Sequence, residues 1–291
     1  MSNYREFNVQ LTAMSGMRRV TSTMKMVAAS HLHRAHNEMS LPVPFATELR
    51  KLTAIAYQLP GMRKHRLFNE PSEGPAKVLL IVMCSDRGLC GSFNSTIVHA
   101  VRHWVAAQRS NREVKVDVIY AGQKGYNALW RELPPCMKAF NLSAHPRYQE
   151  TAPISSYAMD KFMDGTYTEV WIAGSLFVNT LKHDAETKRI LPFSALSEPE
   201  ITVREGGMPI VEPMDDRILT TIMRQWVHYH VNVAQLHRAA SEQASRVMSM
   251  ESATTNLLVM EKDLLLKRNR ARQATITNEL NEIVSGAETL A

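Results

Sequence analysis

From Met214 to Ser285 the chain carries neither proline nor glycine. That run of about 70 residues stands against a mean of about 12 for helices in globular proteins. Apolar residues recur along it in steps of three and four: Ile218, Ile222, Trp226, Tyr229, Val233, Leu236, Ala240, then Val247, Met250, Leu257, Leu264, and finally Ile276, Leu280, Ile283 and Ala287. Such spacing places them on one stripe of a helix. A single helix of this length reaches about 100 Å, more than a compact domain can bury. The chain is therefore expected to be built on a shaft, and a shaft needs a partner.

The other end offers one. Phe7, Leu11, Met14, Met17, Val20, Met24, Val27, Leu32, Ala35 and Met39 follow the same period,. Leu41-Pro42-Val43-Pro44 should kink or briefly break that helix. It should resume through Leu49, Leu52 and Ile55 and stop at Pro60-Gly61, ahead of a loop running to Pro75,.

Between the two ends the pattern changes. Val78 to Cys84 is a short apolar run suited to a buried strand,. Phe93 to Gln108 reads as a helix, Val114 to Tyr120 as a strand, Gln123 to Trp130 as a short helix and Met137 to Leu142 as a strand. Ile154 to Met163 is the next helix, followed by strand-like Glu169 to Ala173 with Leu176 to Asn179 and a weaker strand at Arg189 to Phe193. Alternating strands and helices imply a mostly parallel sheet covered on both faces. The expected fold is α/β: a long antiparallel coiled coil of the N- and C-terminal helices, plus a central Rossmann-like α/β domain. The division is 1–59 for the first helix with its kink near 42–44, 76–212 for the central domain and 213–291 for the last helix. Ser197 to Glu212 reads as a charged loop between the last two.

Composition narrows function only a little. Hydrophobic residues make up 45% of the chain, enough for a core,. Apolar runs such as Val78 to Met83 fall far short of the roughly 20 residues of a spanning helix, so no direct membrane insertion is expected. The N-terminus has no continuous apolar segment of a secretory leader. Three cysteines, Cys84, Cys90 and Cys136, suit a reducing compartment and read as buried apolar thiols,. A formal net charge of +6 permits an acidic partner.

Candidate chemistry is thin. The loop Ser85 to Asn94 follows a strand and opens a helix, a common place for phosphate. It lacks both G-x-G-x-x-G and a Lys-Ser/Thr pair after Gly91,, so Gly88 and Gly91 read as residues of a tight loop. Cys90 has no histidine near it in sequence. His33 and His36 could share a helix face as metal ligands, but surface histidines without an acidic or cysteine partner read as solvated. Lys262, Lys267, Arg268, Arg270 and Arg272 form a basic cluster without interleaved aromatics, which fits a solvated face or acidic protein loops better than nucleic acid,.

Three groups of residues carry a resemblance. Met24-Lys25-Met26-Val27-Ala28-Ala29 lies near the start, and Ser85-Asp86-Arg87-Gly88-Leu89-Cys90-Gly91 in the middle. Ser241 to Arg246, Asn269 to Thr277 and Glu279 to Ala287 lie near the end. Together, and in this order, they resemble the gamma subunit of F-type ATP synthases. The resemblance implies a central rotor stalk that couples proton or sodium flow to conformational change in the catalytic beta subunits. It implies no active site, no cofactor and no metal in this chain. The partners it implies are the alpha and beta subunits of the catalytic ring, an epsilon- or delta-type stalk subunit and the membrane c-ring, with no nucleic acid. The complex would lie peripheral to an energy-coupling membrane, on the cytoplasmic face in bacteria or the matrix face in mitochondria. Shaft residues expected to touch the ring are Met24, Lys25, Arg246, Arg270, Arg272, Gln273, Ile276, Leu280 and Ile283. Without the resemblance, the alternatives are a basic coiled-coil nucleic-acid-binding protein and a nucleotide-dependent α/β enzyme using the Ser85 to Asn94 loop.

Overall fold

The computed structural model describes residues 2–39, 42–58, 65–68, 75–140, 142–144, 146–193 and 216–288. The expected stop at Pro60-Gly61 and the charged loop Ser197 to Glu212 lie outside them. In order the elements are α1 (Ser2–Met39), α2 (Val43–Gln58), β1 (Ala76–Met83), α3 (Phe93–Asn111), β2 (Val114–Ala121), α4 (Gln123–Leu129), β3 (Pro135–Ala139), α5 (Tyr148–Met163), β4 (Glu169–Phe177), β5 (His183–Leu191) and α6 (Asp216–Glu288). The chain forms two compact units, Met1–Ala28 with Arg246–Ala291, and Ala29–Ser245.

The larger unit is organised on a sheet of order β3-β2-β1-β4-β5. β1 pairs in parallel with β2 and β4, β2 in parallel with β3, and β4 antiparallel with β5. As the central strand, β1 is buried on both faces and therefore reads as a continuous apolar run,. Its side chains alternate between two cores. Leu79, Ile81 and Met83 join Ile154 and Phe162 of α5 and Leu219, Met223, Trp226 and Val231 of α6. Leu80 and Val82 join Phe93, Ile97 and Val101 of α3 and Leu129 of α4. The first core also takes in Leu49 of α2, so it draws on residues either side of 76–212.

Two elements exceed their expected lengths. β5 spans nine residues rather than only the end of the segment. It is an edge strand whose exposed positions carry Asp184, Glu186 and Lys188, which hides it from an apolar count. α5 begins at Tyr148, ahead of the expected Ile154, and carries Pro153 within it.

In the smaller unit α1 and α6 run antiparallel. Arg18 Nε lies 3.1 Å from a Glu261 carboxylate oxygen, the hydroxyls of Thr21 and Thr254 are 2.9 Å apart, and Lys25 Nζ is 2.5 Å from Glu251. Counting an unbroken first helix back from the domain sets Met24 opposite Arg246 and the N-terminus opposite Lys267. The observed register is about five to nine residues further along α6. α1 ends at Met39 and a separate helix, α2, begins at Val43, so the first helix is not the unbroken one that count assumed.

Candidate functional site

Parallel α/β sheets bind ligands beyond the carboxyl ends of their strands, at the point where strand order reverses. Here that point falls between β1 and β4, and α6 is tied to the loops around it. Ser245 Oγ donates to the Cys90 carbonyl in the loop after β1, at 2.7 Å. Arg238 Nη2 donates to the Ser143 carbonyl beyond β3, at 3.1 Å. The Phe177 amide, at the end of β4, donates to His237 Nδ1 at 3.2 Å. Three strand ends thus hold one stretch of helix.

That stretch is polar and buried around its circumference. Gln235, Arg238, Ser241, Glu242, Gln243 and Ser245 are all buried. Arg238 is 1% exposed and bonds Glu242 at 2.5 Å and Gln235 at 2.9 Å. A desolvated charge of this kind persists only when it is paired and its remaining N–H groups are satisfied, as these contacts provide. Beside it the Cys84 thiol is pushed up to about 12, chiefly by burial, which keeps it an unreactive thiol. A periodicity reading assigns polar positions of a helix to solvent and so misses this ring. The signal available was the small-residue run Ala239-Ala240-Ser241 with Ala244-Ser245, which lets other backbone approach closely.

The Ser85 to Asn94 loop is held by its own side chains. Asp86 accepts the amides of Gln123 and Leu142, each at 2.8 Å. Asn94 Nδ2 donates to Ser85 Oγ at 2.8 Å, and Ser85 Oγ in turn donates to the Arg87 carbonyl at 2.7 Å. Positive φ falls on Leu89 and Gly91 rather than on Gly88. Cys90 is buried, as is Cys84, but Cys136 is exposed and donates to the Val118 carbonyl at 3.3 Å, correcting the expectation of three buried thiols. His33 contacts Asn37, and His36 packs edge-on against Phe177 at 6.1 Å. Among the described residues no group of three metal donors converges.

The residues expected to touch a ring all lie in the smaller unit. Met24 is 39% exposed, and Lys25 is paired with Glu251. Arg246 is half-buried, whereas Arg270, Arg272 and Gln273 are exposed. Ile276, Leu280 and Ile283 are 44%, 56% and 69% exposed, in a stretch exposed throughout from Ile276 to Ser285. Exposed isoleucine and leucine at helical spacing form an apolar stripe of the kind that marks an interaction surface. Lys267 is neutralised by Asp263 at 2.8 Å. No helix among the described residues is long and apolar enough to cross a membrane.

A sheet whose strand ends grip the chain's own helix, and a coil ending in exposed apolar residues, define a protein organised around one helix and the surfaces it carries. A family profile described as ATP synthase matches residues 3–290. The ATP synthase gamma chain of Chloroflexus aurantiacus is 30% identical over 292 residues, covering 100% of this chain and 99% of that one. The fold is shared with a chain of the Euglena gracilis mitochondrial ATP synthase, at a TM-score of 0.66 and 14% identity over 99% of this chain and 94% of the other. It is shared too with one from the Tetrahymena thermophila mitochondrial ATP synthase central stalk and c-ring, at 0.61 and 23% identity over 80% and 99%. The chain belongs to the ATP synthase gamma chain family, and its role is that of a central-stalk rotor subunit of an F-type ATP synthase.

Proposed function

We propose that this chain is the non-catalytic, torque-bearing part of the rotor. Its α1–α6 coil turns inside a ring of alpha and beta subunits. The larger unit meets an epsilon- or delta-type stalk subunit and the membrane c-ring, on the cytoplasmic face of a bacterial inner membrane or the matrix face of a mitochondrial one. The observation that supports this is the exposed stripe of Ile276, Leu280 and Ile283 on the end of α6, beyond the level that α1 reaches. Such a stripe suits an apolar sleeve supplied by neighbouring subunits, where shallow contacts permit rotation. Rotation then shifts which conformation each catalytic subunit prefers, through differences in contact energy between its faces. Lys25, Arg246, Arg270, Arg272 and Gln273 supply the polar contacts and Met24 an apolar one, with arginine suited to fork onto carboxylates.

Arg272→Ala in the reconstituted complex tests the reading. Turnover of ATP should fall several-fold while the melting temperature of the subunit alone stays unchanged, because Arg272 is exposed in the free chain. A subunit that is destabilised by the change, in a complex that turns over normally, would overturn it. Lys25→Ala gives the companion case: its exposed pair with Glu251 adds little to the free chain, so a loss in the complex reports a lost partner.

A further inference from the structure

α3 packs one side against the sheet and leaves the other to solvent. Phe93, Ile97, Val101 and Val105 are buried, and the outer face carries His99 and His103, both exposed. Four residues apart on a helix, two side chains stand on adjacent turns with Cβ atoms about 5–6 Å apart. α3 runs from Phe93 to Asn111, so the pair sits inside the helix and away from its fraying ends.

Histidines elsewhere in the chain are engaged. His33 contacts Asn37, His36 packs on Phe177, His228 bonds Ser155 and His237 takes the Phe177 amide. Among the described histidines only His99 and His103 make no hydrogen bond, ion pair or ring contact, so all four of their ring nitrogens are uncommitted. Their neighbours on the outer face of α3 bring no charge. Ser95, Thr96, Ala106 and Ser110 flank them there. The Ser95 and Thr96 hydroxyls are spent on the Ser92 carbonyl, at 2.8 and 3.0 Å. Arg102, next in sequence to His103, is turned aside: it forks onto Glu132 at 3.0 and 2.6 Å and reaches the Ala128 carbonyl at 3.3 Å.

We propose that His99 and His103 chelate one late transition-metal dication of the Ni²⁺ or Cu²⁺ kind, with water in the remaining positions. Imidazole nitrogen is a ligand suited to these ions and poorly suited to Mg²⁺, which prefers oxygen. Histidine nitrogens ligate at about 2.0–2.1 Å, so two on neighbouring positions of one metal stand about 3 Å apart, within reach of side chains on adjacent turns. Histidines at i and i+4 are the spacing by which one helix supplies two ligands to a single ion. No third donor stands with them among the described residues. The site is therefore a two-ligand, exchangeable one on the surface of the larger unit, and binding there cross-links two turns of α3.

Isothermal titration of the untagged full-length chain with nickel chloride tests the proposal. Ni²⁺ is the probe because it does not oxidise the exposed Cys136 thiol. One saturable site is expected, with Mn²⁺ weaker and Mg²⁺ silent. His99→Ala and His103→Ala should each weaken Ni²⁺ by about tenfold or more, because the second ligand of a chelate acts at high effective concentration. Both positions are exposed, so these variants should keep the parent circular dichroism and melting temperature. Adding Ala107→His to His99→Ala recreates a pair four residues apart on the exposed face and should restore the affinity. His33→Ala with His36→Ala should leave it unchanged. Absence of saturation overturns the proposal. So does undiminished binding in both single variants, failure of the relocated pair to restore it, or loss of the site with His33 and His36. The titration uses the free chain, so its outcome is independent of the rotor reading.

Discussion

The hydroxyl of Ser245 donates to the carbonyl of Cys90 across 2.7 Å, joining α6 to a loop 155 residues earlier. That carbonyl also accepts the Phe93 amide at 3.1 Å. Ser245→Ala therefore leaves it with one donor rather than none. The expected loss is about 1 kcal/mol, the net value of a typical hydrogen bond, measured by urea unfolding of the full-length chain.

Arg238 and Glu242 should behave as a coupled pair. Glu242→Leu strands a buried guanidinium and should cost about 3–5 kcal/mol. Arg238→Met with Glu242→Leu should cost clearly less than the two single changes added together, because neither charge is then left alone. A double-mutant cycle in denaturant measures the difference. Additive losses would mean that the pair contributes no coupling.

Stability should fall with acid partly through His230. Its folded value, about 3, lies below the roughly 6.5 of free imidazole. The unfolded chain therefore binds more protons between those values. This contribution is complete above the unfolded value and is lost as pH falls toward the folded one, with a slope up to about 1.4 kcal/mol per pH unit. The facing groups are Lys188, Arg50 and Glu186. His230→Gln should lose less stability than the parent between about pH 7.5 and about pH 5. His228 and His237 are lowered by burial as well, so a smaller slope of the same sign should remain in the variant.

The tip of α6 should exchange its amides quickly until other subunits cover it. The pairing of Lys25 with Glu251 sets Ser2 level with about residue 274 at equal rise. Residues 276–285 lie beyond that level, and all are exposed. Hydrogen exchange should show them poorly protected in the isolated chain and protected in the assembled complex. Strong, equal protection in both would refute the apolar sleeve.

Much of this architecture is legible in the sequence because it rests on strong local signals. A long stretch without proline or glycine became α6, and an uninterrupted apolar run became β1 because a central parallel strand is buried on both faces. Features set by tertiary context were not legible. β5 is an edge strand with alternating charge, so His183 to Lys188 offers no apolar run. The coil register is carried by the polar pairs Lys25 with Glu251 and Arg18 with Glu261, which apolar periodicity alone does not decide. Among the site residues, exposed Ile276 and Leu280 followed from helix length. Arg238 and Glu242 did not, since burial of a charged helix position depends on three strand ends that meet only after folding.

The first core draws on α2, β1, α5 and α6 together, and this bears on biosynthesis. A nascent chain that has emerged as far as Leu191 has all five strands but not Leu219, Met223, Trp226 or Val231. One face of β1 then has α2 and α5 but lacks the α6 half of its core. Vectorial, domain-by-domain folding during translation is closed to this sheet, which must wait for the last quarter of the polypeptide. In the interval the face that carries Ile81, Met83 and Ile172 is left partly uncovered, the sort of intermediate that chaperones retain. A ribosome stalled before α6, or a transcript truncated there, should therefore yield an aggregate rather than a soluble α/β domain.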